Sequence, residues 1–172
     1  MNVPNILTVV RFFLIPVFIY VFYNPNISNN IFWALVVFII AGATDLLDGY
    51  IARKYNLITK WGKLMHPLAD KLMLLTVLIS LYIEGIIPEI IIIIVFIKEF
   101  LMIVGAFFLY KNRKLVVEAN FFGKIASVSF YVAVIATVIK LPYSNTLLYI
   151  AVFLTLVALV QYAYKNFAHN KS

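Results

Sequence analysis

Apolar positions in this chain run in long unbroken stretches, divided by short polar segments. Six such stretches fall near residues 11–23, 30–52, 63–83, 86–110, 121–140 and 146–164. Most approach the roughly 20 residues that a helix needs to cross a bilayer core. The pattern therefore predicts an all-α, polytopic membrane protein with six transmembrane helices. The first stretch is short and is interrupted by Pro16. Before it, residues 2–10 carry Pro4 at a helix-start position and are read as a short N-terminal interfacial helix.

Within this apolar background, polar residues recur at helical spacing. The run Asp45-x-x-Asp48-Gly49-x-x-Ala52-Arg53 places five residues on one helix face. Gly62, His66 and Asp70 repeat every four residues and share a face of the next helix. The stretch between them, 54–61, is a return loop. If the two helices are antiparallel, Asp45 and Asp70 both lie about 12 Å from the turn, at matching depth. Carboxylates inside apolar helices are costly and persist when paired or bound to a cation. A metal site is the direct reading.

Composition agrees with the membrane assignment. Hydrophobic residues make up 65% of the 172 residues and charged ones 12%, and mean hydropathy is +1.02. A soluble domain averages roughly 45–50% apolar and about 25% charged. The length suits a single domain, 1–172. No cleavable-signal pattern is read at the start, because the first apolar stretch is followed by further membrane helices. The absence of cysteine excludes disulfides and thiolate metal sites.

The net charge of +7 is mostly a topology signal. Arg53, Lys54, Lys60 and Lys63 crowd one loop, Lys111, Arg113 and Lys114 another, and Lys165 and Lys171 the tail. The alternate loops are poor in cations. Positive residues collect on the cytoplasmic side, so both termini and the acidic site are expected to face the cytoplasm of the cell membrane. Attraction to anionic membrane lipids is a further expected consequence.

Oxygen ligands of this kind favour Mg²⁺ or Mn²⁺, ions that also bind phosphates. Gly49 and Ala52 keep the helix face clear for a bulky group, and Arg53 offers a planar fork for phosphate oxygens. Together they describe a pocket for a metal-bound diphosphate, with one end in water and the other in lipid. Two other readings use the same residues: a buried ion-pair network joining the helices, or a cation path. The path is disfavoured because Glu99 is the one other mid-membrane acid.

These residues resemble the signature of the CDP-alcohol phosphatidyltransferases, Asp-x-x-Asp-Gly-x-x-Ala-Arg-x8-Gly-x3-Asp-x3-Asp, at every position but one. The resemblance extends to Pro4-Asn5-x-Leu7-Thr8-x-x-Arg11 and to Pro67-Leu68-Ala69-Asp70-Lys71. It is strongest to bacterial members that join CDP-diacylglycerol to glycerol 3-phosphate and release CMP. It implies a homodimer with a metal site between the second and third helices. Asp45 and Asp48 would hold metal and orient the diphosphate, and Asp70 would be both metal ligand and general base. Thr8, Asp48, Gly49, Ala52, Arg53 and Gly62 would contact the nucleotide diphosphate.

The departure is His66, where the family carries its third acid. An imidazole can ligate a divalent metal, but it removes a negative charge and favours softer ions such as Zn²⁺. Three readings are open. The histidine disables the enzyme, alters its metal preference, or marks a non-catalytic relative that binds the lipid nucleotide.

For the acceptor, Lys98 and Lys124 are the candidate contacts. A lone cation such as Lys98 within an apolar helix is expected to meet a phosphate. Its blander reading is a neighbour effect with Glu99, and that of Lys124 a solvated helix start. Related synthases carry Arg where Ala106 stands, and the stretch Lys98–Arg113 also resembles CDP-diacylglycerol-dependent cardiolipin synthases, whose acceptor is phosphatidylglycerol. Tyrosines and tryptophans fit interfacial belts, nothing suggests nucleic-acid binding, and His169 is read as solvent-exposed.

Overall fold

The computed structural model describes residues 2–55, 60–113 and 121–168, so His169 and parts of two basic loops lie outside the described residues. Among the described residues six helices follow one another: α1 (Val3–Tyr23), α2 (Asn30–Lys54), α3 (Lys60–Ile83), α4 (Glu89–Arg113), α5 (Phe121–Val138) and α6 (Ser144–Ala168). The all-α expectation holds. Among the described residues, Val3–Tyr23, Asn30–Ala52, Met65–Ile83 and Ser144–Gln161 are long and apolar enough to cross a membrane.

The N-terminal segment differs from expectation. Residues 3–10 do not form a separate interfacial element; they continue into α1 as one helix of 21 residues. Pro4 occupies the first turn, where its missing N–H has no intrahelical partner to lose. Pro16 lies inside the helix without ending it. In apolar surroundings each broken backbone bond is costly, so losing one at a proline is preferable to unwinding the turn.

The chain divides into two compact units, residues 1–86 and 87–172. In the first, α1 packs against both α2 and α3. Phe18 and Phe22 of α1 are buried and stack at 5.4 Å. Ala34 and Ala41 on α2 and Ala69 on α3 are fully buried, small residues that let helix backbones approach closely. Met73, Val77, Leu78 and Leu81 extend the α3 core stripe. The outward face is apolar too: Phe13, Tyr20, Leu46 and Ile83 are all more than 60% exposed. Large exposed apolar surface of this kind belongs in lipid, and the protein is a membrane protein.

α3 ends at Ile83, and the turn that follows passes through Gly85, whose φ of +67° is the left-handed conformation glycine adopts freely. Gly85 N–H donates to Tyr82 O and Ile86 N–H to Leu81 O, both at 2.8 Å, satisfying carbonyls the helix end would leave open. In the second unit, α6 packs against α5 and α4. Its buried stripe Leu148, Ala151, Val152, Thr155 and Ala158 follows helical spacing.

Candidate functional site

Three helices of the first unit converge on one polar cluster. Asp45 and Asp48 stand on successive turns of α2, as their spacing requires. Asp48 lies six residues before the end of α2 and His66 six residues after the start of α3. At 1.5 Å per residue both sit about 9 Å from their helix ends. They meet there, with His66 Nδ1 at 3.0 Å from Asp48 Oδ2. His66 Nε2 lies 3.4 Å from Asp45 Oδ1, so the imidazole spans both acids.

The third contributor is α1. Arg11 is fully buried and donates from Nη1 to Asp45 Oδ1 at 2.6 Å and from Nη2 to Asp48 Oδ2 at 2.8 Å. One turn earlier, the buried Thr8 hydroxyl is within 3.0 Å of Pro4 O and 3.4 Å of Asp48 Oδ2. Burying a guanidinium is tolerable when its charge is paired in this way.

Two buried atoms in the cluster lack a hydrogen-bond partner, Arg11 Nε and Asp48 Oδ1. Asp48 is 1% exposed, and its Oδ1 accepts no hydrogen bond. A buried carboxylate oxygen without a donor is costly, whereas a cation beside it would satisfy it. One ligand atom from each of Asp45, Asp48 and His66 lies within 4.8 Å of the other two. The donor set of two carboxylates and an imidazole fits a divalent metal.

The remaining expected site residues are placed as follows. Asp70 is half-buried on α3, one turn beyond His66, and stands outside the group of three possible ligands. Gly49, Ala52 and Gly62 are half-buried on α2 and α3. Arg53 and Lys124 lie on α2 and α5, and their side chains are outside the described residues. In the second unit, Lys98 forms an ion pair with its neighbour Glu99, and both are nearly buried. Lys98 also borders a small cavity with Ile94, Ile97 and Leu101 of α4 and Leu156 and Leu159 of α6. Helical spacing by itself gives Arg11 no role in the site. Its signal was available: a single cation in an apolar helix needs an anionic partner.

An all-helical membrane protein whose acids and imidazole converge within the helices is a candidate metal-dependent membrane enzyme. The sequence matches the CDP-alcohol phosphatidyltransferase family over residues 1–157, and the chain belongs to that family. It is 34% identical to the CDP-diacylglycerol–glycerol-3-phosphate 3-phosphatidyltransferase of Bacillus subtilis, covering 96% of this chain and 95% of the relative. The Rickettsia felis protein of the same name is 45% identical over 59% of this chain and 55% of its own length. A CMP-forming cardiolipin synthase of Streptomyces coelicolor is 31% identical over 74% of this chain and 60% of its own length.

Proposed function

We propose that the chain transfers a phosphatidyl group from CDP-diacylglycerol to glycerol 3-phosphate, releasing CMP. The observation that carries this reading is the buried, unpartnered Asp48 Oδ1 in a group of three possible ligands, within the family's signature. Asp45, Asp48 and His66 would hold Mg²⁺ or Mn²⁺, with Zn²⁺ a further possibility that the imidazole introduces. The ion, when bound, neutralises charge on the diphosphate and on departing CMP. The chain's own residues supply the rest. Arg53 offers its fork to diphosphate oxygens, while Gly49 and Ala52 leave room beside the helix and Thr8 and Gly62 border the nucleotide. Asp70, outside the ligand group, takes the proton from the acceptor hydroxyl. The hydroxyl oxygen attacks the β-phosphorus, the bond to the α-phosphate oxygen breaks, and that oxygen leaves with CMP. Lys98 and Lys124 hold the phosphate of the acceptor.

In this reading residues 1–172 form one domain with all six helices spanning the cell membrane, the site opening to the cytoplasm, and the protein acting as a homodimer. The basic loops support the orientation. A second reading, in which phosphatidylglycerol is the acceptor, draws on the Streptomyces relative and on Ala106. The test is turnover of CDP-diacylglycerol with Mg²⁺ or Mn²⁺, offering each acceptor in turn. Release of CMP dependent on glycerol 3-phosphate supports the proposal. Dependence on phosphatidylglycerol alone replaces it with the second reading, and metal-dependent binding without turnover identifies a non-catalytic relative.

A further inference from the structure

We infer that Arg11 is a positioning residue for the carboxylates of the metal centre, its guanidinium fork turning their remaining oxygens toward the cation. The inference rests on reading Asp45, Asp48 and His66 as a divalent-metal site. Arg11 is the sole basic residue of α1 and is fully buried. Its two terminal nitrogens go to different acids, at 2.6 Å and 2.8 Å, three residues apart on α2. Each nitrogen thereby occupies a single oxygen of its carboxylate. At Asp48, Oδ2 takes Arg11, with Thr8 and His66 close by, while Oδ1 stays unpartnered. That asymmetry is what a ligand needs: one oxygen fixed by the protein and the other left for the ion.

The charges agree with this role. Two adjacent aspartates would repel each other, and the guanidinium between them offsets one of their two charges. A divalent ion would then leave the group of Arg11 and the two acids net positive, matched to an anionic diphosphate. Lysine in the same place would keep the charge but not the fork. Its single ammonium is a point charge, without the rigid planar geometry that reaches two separate oxygens in fixed directions.

Arg11→Lys separates positioning from simple charge balance. Mn²⁺ binding to purified protein, followed by electron paramagnetic resonance, is measured beside thermal melting and turnover. The expected result is a Mn²⁺ affinity about 10- to 100-fold weaker than wild type, the range seen when groups orienting metal ligands are removed. Turnover number should fall more than the KM for CDP-diacylglycerol changes. A second variant, Arg11→Ala, should regain Mn²⁺ affinity with added guanidinium ion and not with ammonium. Wild-type affinity in Arg11→Lys, or rescue of Arg11→Ala by ammonium as well as by guanidinium, would overturn the inference. Lack of saturable Mn²⁺ binding in the wild type would overturn the metal-site reading together with it.

Discussion

His66 Nδ1 lies 3.0 Å from Asp48 Oδ2, so the imidazole occupies the α3 position at the level of the second α2 aspartate. The family's signature has an acid there. His66→Asp would place a third carboxylate beside two others. Without metal the three acids repel, so the variant should melt at lower temperature than wild type. With Mg²⁺ that difference should close, because binding to the folded state stabilises it. Misplacing reacting atoms by about 1 Å can cost on the order of 100-fold in rate. Mg²⁺-dependent turnover of His66→Asp should therefore exceed wild type by about 100-fold. Equal turnover would establish His66 as a competent natural ligand.

Asp45 and Asp48 should respond differently to the same change. Asp48 is 1% exposed and Asp45 27%, and both bind Arg11. Either Asp→Asn variant should abolish metal-dependent binding of CDP-diacylglycerol. Asp48→Asn should also destabilise the fold, by about 3 kcal/mol, because it removes a charge partner from a fully buried guanidinium. Asp45→Asn should melt closer to wild type. Lipid-nucleotide binding and melting curves on the two variants check both statements.

Asp70 stands outside the group of three possible ligands, and in the proposed reading it is the general base. Asp70→Asn should lower turnover by at least about 100-fold, within the range that general-base catalysis contributes. Its Mn²⁺ affinity should stay within a few-fold of wild type. A large loss of Mn²⁺ binding would return Asp70 to the ligand set.

Lys98 is paired with Glu99 in the second unit. If it also holds the acceptor phosphate, Lys98→Ala should raise the KM for glycerol 3-phosphate by about 10-fold or more, with the KM for the CDP lipid little changed. Equal changes in both constants would mark the pair as structural.

How much was legible in the chain follows from the range of each interaction. Helix positions, the membrane class and the shared face of Asp45 and Asp48 come from local period and hydropathy, which neighbouring residues carry by themselves. The family signature is likewise local, within 45–70. Tertiary structure decided the partners. Depth counted from the turn paired Asp45 with Asp70, whereas it is His66 that meets both acids. Arg11 joins the centre across 34 and 37 residues. Such contacts depend on how α1 is rotated and where it docks, and sequence spacing within one helix does not specify either. A buried guanidinium announces that it needs an anion, and only the packed helices show which carboxylates supply it.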